Sequence, residues 1–430
     1  MNVGFITLGC KVNIYESNAL KEELTNRGHI ISENLENCDC YIINTCSVTN
    51  MADAKSRKMI RKCVKMNPNA IICAIGCYAQ TNPEVKDIDG VDIILGNGNK
   101  SKLIDLIEET YKLPKKSKKI DIIDILEMNE YEKLSVTTYD HTRAFVKIED
   151  GCENFCTYCI IPYARGPVRC KNADSVIDEL RGITEKGYKE VVLAGIHTGR
   201  YNDNGLNLSG LIKRILKEVP LIKRLRLSSI EINEIDDEFI ELMRNNEILA
   251  NHLHLPLQSG SDLVLEKMER RYDVNYFVDK INKIRGARPD ISITTDIIVG
   301  FPYETENEFM ETYNLAKELR LSKIHVFPYS MRHGTKAASF PQVNDTVKKN
   351  RATRLIELSK KLEEEYAKDF VGKELSMIIE QKVGNDMIGH TSNFLQVILP
   401  YDEELIKKEA KVLIKEVKKD KIYGEIIEIL

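Results

Sequence analysis

Residues 151–166 read GCENFCTYCIIPYARG, which sets Cys152, Cys156 and Cys159 in a C-x3-C-x2-C array. Three thiols on so short a loop can hold three irons of a four-iron cluster and leave the fourth iron open to a ligand. Zinc suits the array less well, because structural zinc takes four ligands, usually from paired short spacings. The array follows an apolar, strand-length run at 143–148. Further strand-like runs lie at 190–194, 224–228, 252–255, 291–299 and 323–327, with helical patterns between them at 174–186, 261–268 and 304–319. Six such β/α units predict an open, partial (β/α)6 barrel rather than a full eight-fold one. In barrels of this kind the chemistry sits on loops that leave strand C-termini, which is where the three cysteines fall.

Toward the N-terminus the same alternation continues. Strands are expected at 3–8, 40–44, 70–75 and 91–95, and helices at 16–27, 52–66 and 102–113, so residues 1–113 read as an α/β domain with a mostly parallel sheet. Cys10, Cys46 and Cys77 each follow one of the first three strands. Topology alone then carries three distant cysteines to one sheet edge, fit for a second three-thiolate site or for burial as small hydrophobes. Residues 114–137, opening with LPKKSKK, read as a connector of uncertain structure, and 138–370 as the central domain. A long charged helix at 348–370 keeps an apolar stripe and should pack along a domain seam. Residues 371–430 carry short strand patterns joined by Gly, Asn and Asp turns and predict a small β-barrel.

Composition narrows the function. The 430 residues hold 62 Lys+Arg against 66 Asp+Glu, a net charge of −4, which excludes a protein that coats nucleic acid by charge alone. Apolar residues make up 43% and charged residues 30%, a globular profile. There is no apolar run of membrane-spanning length, and the N-terminus lacks the basic start of a signal peptide, so a cytoplasmic setting is expected. Eleven cysteines, an odd number in a long chain, argue against a disulfide scaffold. Cys38, Cys40, Cys63, Cys73 and Cys170 read as structural.

The array at Cys152, with the aromatic Tyr158 just before its third cysteine, resembles the radical S-adenosylmethionine (SAM) enzymes. TLGCKVNIYES around Cys10, INTCSVTNMADAKSRK around Cys46, AIGCYAQ around Cys77, and the later strings LSSIEINEI, HLHLPLQSGSDLVLEKM, TDIIVGFPYETENEF and HVFPYSMRHGTKAA resemble the methylthiotransferases of that superfamily over essentially the whole chain. The C-terminal segment sits where that family carries its RNA-binding TRAM barrel. Lys11-Val12-Asn13, CIIPYARG and GIHTGRY are similar to the branch that modifies N6-threonylcarbamoyladenosine in tRNA. Two positions depart from the family pattern. Tyr303 stands where glycine is usual, and Cys170 where serine is common.

The resemblance implies two [4Fe–4S] clusters, one on Cys152, Cys156 and Cys159 and an auxiliary one on Cys10, Cys46 and Cys77. It implies two SAM molecules, one cleaved to a 5′-deoxyadenosyl radical and one supplying the methyl of a methylthio group placed on C2 of the adenine at position 37. Tyr158, Gly195, Ser229, Gln258, Asp296 and Phe327 are the SAM-binding candidates by position along the barrel's strand ends. His197, His252 and His254 read as packing or hydrogen-bonding residues. Lys55, Arg57, Lys58, Arg61, Lys62 and Lys65 begin just after Cys46; positions 55, 58, 62 and 65 share one helical face, which would grip anticodon stem-loop phosphates or simply face water. Residues 371–430 have nine Lys against eleven Asp/Glu, a net of −2 that weakens RNA binding there, although seven lysines lie between 407 and 421. Phe394, Tyr401 and Tyr423 are its aromatics for base stacking. An external electron donor such as flavodoxin or ferredoxin is implied. The alternatives are isopentenyladenosine in tRNA or a ribosomal-protein aspartate as substrate, and an RNA-binding iron–sulfur redox sensor.

Overall fold

The computed structural model describes residues 1–113, 118–139 and 142–430. Its first sheet is built from β1 (Asn2–Thr7), β2 (Ile30–Ile31), β3 (Cys40–Thr45), β4 (Ile71–Gly76), β5 (Ile93–Leu95) and β6 (Lys119–Asp121). The order is β2-β1-β3-β4-β5-β6, and every neighbouring pair is parallel. β3 and β4 are buried along their whole length, which their unbroken apolar runs require of strands covered on both faces. Helices α1 (Lys11–Asn26), α2 (Asn50–Met66) and the short α3 (Cys77–Thr81) leave the C-terminal ends of β1, β3 and β4. The segment read as a connector differs from that expectation. Residues 114–117 lie outside the described residues, but Lys119–Asp121 adds the sixth strand, a three-residue element too short and too polar to show periodicity.

The central strands are β7 (Arg143–Lys147), β8 (Glu190–Ala194), β9 (Arg224–Leu227), β10 (His252–His254), β11 (Ser292–Val299) and β12 (Lys323–Pro328). They form two three-stranded parallel sheets, β7-β8-β9 and β10-β11-β12. Parallel bridges Leu225↔Leu249 and Ser229↔His254 join β9 to β10, giving one open six-stranded barrel. Helix α1 belongs to this part as much as to the first sheet. Tyr15 and Ala19 are buried in the same core as the barrel strands, and the Tyr15 hydroxyl donates to the Leu134 carbonyl at 2.6 Å.

The last five strands, β13 (Glu374–Val383), β14 (Asp386–Thr391), β15 (Gln396–Pro400), β16 (Glu409–Lys418) and β17 (Lys421–Ile429), close into a barrel ordered β13-β14-β15-β17-β16. The long helix Asp345–Lys368 spans the seam. Leu355, Leu358 and Leu362 are buried in the central core, while Ala367 lies in the core of the small barrel. The small barrel is docked under the floor of the open one. Arg224 Nη2 donates to Ser376 Oγ at 2.8 Å, and Arg226 Nη1 to the Ser392 carbonyl at 3.2 Å. Phe394 stacks on His252 (4.8 Å) and His390 (4.7 Å), with the Arg226 guanidinium 4.8 Å from its centroid. Phe394 is therefore occupied as the plug of this interface and is removed from the aromatics expected to stack on RNA bases.

Candidate active site

The loop carrying Cys152, Cys156 and Cys159 is fixed by its backbone. Gly151 has φ +96°, and a Cβ there would lie 1.9 Å from the Pro167 carbonyl oxygen. Cys152 N donates to Gly166 O (2.9 Å), Cys159 N to Cys156 O (2.9 Å), and Thr157 N to Met268 O (3.1 Å). Phe155 takes φ +46° at the tip, a left-handed conformation that costs about 1–3 kcal/mol where a side chain bears it. Arg270 Nη1 donates to Cys156 Sγ at 3.2 Å and is itself paired with Glu231. His197 Nδ1 lies 3.6 Å from Cys152 Sγ, and its Nε2 2.6 Å from Glu234 Oε1. Burial works against its protonation, but bonds to Cys152 and Glu234 push His197 up to about 10. Its role is the hydrogen bond expected of it. His252 and His254 likewise share Thr294 Oγ1, each at 2.9 Å.

The second trio is assembled by the strand ends of the first sheet. Cys10 caps α1, Cys46 follows β3, and Cys77 opens α3 after β4. Gly9 (φ +96°) has no room for a side chain, since a Cβ would meet Cys46 Sγ at 3.1 Å and Asn13 Nδ2 at 3.1 Å. Asn13 Nδ2 donates to Leu8 O (2.6 Å) and Thr45 O (3.0 Å), tying the Cys10 turn to the Cys46 turn. Asn97 Nδ2 donates to Ala164 O at 2.7 Å and lies 3.6 Å from Cys77 Sγ. Burial pushes the thiols up: Cys10 and Cys156 rise, Cys46 reaches about 11, and Cys159 goes higher still. Such thiols are protonated at neutral pH until a metal displaces the proton.

The whole second trio, Cys10, Cys46 and Cys77, lines a cavity of about 480 Å³ that Cys159 of the first trio also reaches; Cys152 and Cys156 are not in its lining. Of the six SAM candidates, Tyr158, Gln258, Asp296 and Phe327 line it. Gln258 takes φ +65°, its N–H donating to Asp296 O (2.8 Å) and its carbonyl accepting from Ile298 N (2.9 Å), so this residue bends the chain at the wall. Gly195 and Ser229 are not in the lining. A Cβ on Gly195 would meet Glu149 Oε2 at 2.6 Å; the glycine makes room for that carboxylate, which accepts from Ile196 N (2.8 Å) and His197 N (2.7 Å). Burial raises Glu149 to about 8 despite those bonds. Ser229 instead lies in the β9–β10 bridge and is exposed.

Sequence reasoning missed what joins the two halves. Glu16 from α1 accepts from Arg165 Nη1 (2.7 Å), Lys100 Nζ (2.5 Å) and Lys147 Nζ (3.2 Å), all fully buried. Arg165 also pairs with Asp150 at 3.1 Å and donates to Asn13 Oδ1 at 2.6 Å. Arg165 thus reaches from the loop of the first trio into the turn of the second, and it too lines the cavity. At the opposite rim Arg332 bonds Ser47 Oγ (2.9 Å) and Asp53 Oδ2 (2.7 Å), pinning the start of α2. Lys55, Lys58, Arg61, Lys62 and Lys65 lie on α2 and make no ion pair among the described residues. Arg57 instead turns inward over the Tyr78 ring, 5.8 Å from its centroid.

Residues 146–316 match the Radical SAM superfamily and residues 2–96 the Uncharacterized protein family UPF0004. The chain is 43% identical over 422 residues to the threonylcarbamoyladenosine tRNA methylthiotransferase MtaB of Bacillus subtilis (strain 168), covering 96% of this chain and 93% of that one. The chain belongs to the radical SAM methylthiotransferase family. Another relative, the tRNA-2-methylthio-N(6)-dimethylallyladenosine synthase of Thermoanaerobacter sp. (strain X514), is 37% identical and covers 99% of this chain and 92% of its own. Among solved structures the radical SAM methyltransferase TsrM from Kitasatospora setae matches with a TM-score of 0.56 at 14% identity, over 76% of this chain and 74% of that chain, a likeness of fold alone.

A methylthiotransferase of the radical SAM class uses a [4Fe–4S] cluster and SAM. The Cys152 loop fits a cluster: its backbone hydrogen bonds fix three sulfurs on one short loop, and the cavity beside Cys159 leaves room for a small molecule. No helix among the described residues is long and apolar enough to cross a membrane.

Proposed function

We propose that the protein converts N6-threonylcarbamoyladenosine at position 37 of tRNA to its 2-methylthio derivative, with two SAM molecules consumed per turnover. The observation that carries this reading is the shared cavity. Cys10, Cys46 and Cys77 of one trio and Cys159 of the other border one space, together with four of the residues placed for SAM. Cys152, Cys156 and Cys159 would hold one [4Fe–4S] cluster, and Cys10, Cys46 and Cys77 the auxiliary one. When bound, these groups and SAM supply the one-electron chemistry that exchanges the adenine C2 hydrogen for a methylthio group, a bond that no side chain here could ionise. The polypeptide's work is to hold and seal. Tyr158, Gln258, Asp296 and Phe327 orient SAM, Arg165 and Glu16 lock the two trios in register, and Ile160, Ile161 and Ile298 keep the wall dry. The lysines of α2, with Arg61, place anticodon stem-loop phosphates beside the cavity; such contacts position and do not specify.

In this reading residues 1–113, with the added strand Lys119–Asp121, carry the auxiliary cluster, 138–370 form the SAM domain and 371–430 a TRAM-like domain that helps bind RNA. The electron comes from an external donor such as flavodoxin or ferredoxin, in the cytoplasm. Anaerobic turnover of the reconstituted enzyme with SAM, reductant and tRNA tests the proposal. The 2-methylthio derivative of threonylcarbamoyladenosine should appear in the digested nucleosides. Product on dimethylallyladenosine alone, or none on RNA, would overturn it.

A further inference from the structure

Among the described residues, Cys156 is the one member of the two trios whose sulfur accepts a hydrogen bond from a permanently charged side chain. Arg270 Nη1 donates to it at 3.2 Å. The other side chains that reach a trio sulfur carry no fixed charge: His197 lies at Cys152, Asn97 at Cys77 and Asn13 at Cys10. Arg165, the second guanidinium near these loops, donates to Glu16, Asp150 and Asn13 and to no sulfur among the described residues.

The Arg270 guanidinium is aimed rather than free. Its side chain is only 3% exposed, and each nitrogen has its own partner. Nε donates to the Tyr272 hydroxyl at 3.1 Å, Nη2 to Glu231 and Nη1 to Cys156. Tyr272 is tied to the barrel in turn, its hydroxyl donating to the Pro256 carbonyl at 2.8 Å. The backbone fixes the other end. Helix Asp262–Lys267 closes in a Schellman turn, with Glu269 at φ +57°, Glu269 N donating to Glu266 O and Arg270 N to Leu265 O, both at 2.9 Å. The same turn is latched to the cysteine loop: Thr157 N donates to Met268 O at 3.1 Å, and Thr157 Oγ1 to Lys267 O at 2.8 Å. Thr157 adjoins Cys156, so the turn that carries the cation and the loop that carries the sulfur are held as one unit. These bonds already fix the loop, and Glu231 and Tyr272 already anchor the guanidinium. What the Nη1 bond adds is a buried positive charge on one cluster-ligand sulfur.

We propose that the Arg270 guanidinium, through its bond to the Cys156 sulfur, raises the reduction potential of the [4Fe–4S] cluster on the Cys152 loop and so sets how readily an external one-electron donor loads it. The inference rests on the cluster assigned to this loop in the reading above. Reduction adds one negative charge to a cluster and its thiolates, and hydrogen bonds to the sulfurs stabilise that form. A charge-assisted bond is roughly twice as strong as a neutral one, and a charge held out of water acts with little screening. A guanidinium keeps its charge at every working pH, so the effect does not depend on a proton. Glu231 acts with the opposite sign. Its carboxylate anchors the guanidinium but opposes the incoming electron, so the two halves of one ion pair should move the potential in opposite directions.

The test reads the potential itself. With Cys10, Cys46 and Cys77 replaced by Ala, the cluster on the Cys152 loop is the one left to titrate. Its reduced form is followed by electron paramagnetic resonance at set potentials, anaerobically and without SAM or tRNA. At the midpoint of this parent protein, Arg270→Gln should lower the ratio of reduced to oxidised cluster about tenfold, which is about 59 mV for a one-electron couple. Arg270→Lys, which keeps the charge, should recover most of that loss, and Glu231→Gln should raise the ratio about threefold or more. Arg270→Gln strands Glu231, so the double variant Arg270→Gln with Glu231→Gln, which leaves neither charge unpaired, serves as the second reading and should fall between the two singles. Iron content and circular dichroism establish that each variant is folded and loaded. Loaded variants that all stay within about twofold of the parent ratio, or that all shift the same way, overturn the role of Arg270 and leave the cluster and the proposed function standing. A loss in Arg270→Gln that Arg270→Lys does not recover marks a purely structural contact and overturns it as well. A parent protein with no reducible cluster removes the cluster from this loop, and the inference falls with it.

Discussion

At position 151 one methyl group decides whether the first cysteine loop can form. A Cβ there would sit 1.9 Å from the Pro167 carbonyl oxygen, with backbone on both sides of the clash and φ at +96°. Gly151→Ala should cost more than about 2 kcal/mol in denaturant unfolding and lower the iron bound at the loop. The spacing of the cysteines was legible in the sequence, but this requirement was not, because Pro167 approaches only once the loop has closed. Tyr303 is the converse case. It stands where the family usually has glycine, and the structure gives it φ +73°, a left-handed conformation that glycine takes freely. Its ring leans on Phe340 at 5.4 Å and lies near Lys267, contacts that offset the strain. The cysteines themselves divide the labour. Cys152→Ala should abolish 5′-deoxyadenosine formation, whereas Cys46→Ala should block methylthiolation and leave some uncoupled SAM cleavage. Chromatography of the nucleoside products separates the two, and equal loss of cleavage in both would contradict the division.

At the scale of elements, α1 is the hinge of the architecture. Its apolar periodicity announced a helix, yet the duty of Glu16 depends on Lys100, Lys147 and Arg165, partners as far as 149 residues away in the chain. No local pattern reports such a contact, and Arg165 stood in plain view beside the cysteine array without betraying it. Burial would raise Glu16, but Arg165, Lys100 and Lys147 hold it well below the usual carboxylate range; Asp150, also buried, is held to about 2 by Arg165 and Lys147. Carboxylates depressed in the folded state stabilise it above their unfolded values, and that stability drains away as pH falls through the folded ones. Glu16→Gln should therefore destabilise the protein by about 3–5 kcal/mol at pH 7, since it leaves buried cations uncompensated. The gap to wild type should narrow below pH about 4, where the unfolded chain begins to take up the proton that folded Glu16 refuses, as measured by urea unfolding across pH. Helix α2 invites a different test. Among the described residues its lysines hold no ion-pair partner that their removal would strand, so exchanging Lys55, Lys58, Lys62 and Lys65 for Gln should leave the melting temperature within about two degrees. tRNA binding should weaken, and the slope of log affinity against log salt should flatten by up to about 0.9 for each phosphate that is no longer neutralised.

Across the whole molecule, the β/α alternation and the late change to short strands announced three units, and topology alone carried Cys10, Cys46 and Cys77 to one edge. What the alternation could not convey is how those units meet. Phe394 read as a base-stacking aromatic, and it proves to be wedged against His252, His390 and Arg226 under the barrel floor. Lys119–Asp121 read as connector and closes the first sheet. Both outcomes are set by surfaces brought together from distant sequence, which periodicity does not encode. The consequence for function is that Cys10, Cys46 and Cys77 share one cavity with Cys159, and the buried Arg165–Glu16 pair ties the two cysteine loops together. Iron quantitation with Mössbauer spectroscopy on anaerobically purified protein addresses that arrangement directly. Two cubane clusters require about eight irons per chain, and replacing Cys10, Cys46 and Cys77 together by Ala should remove about half of them while the remaining signal keeps its [4Fe–4S] parameters. An unaltered protein with only about four irons, unchanged by that triple substitution, would contradict the two-cluster site.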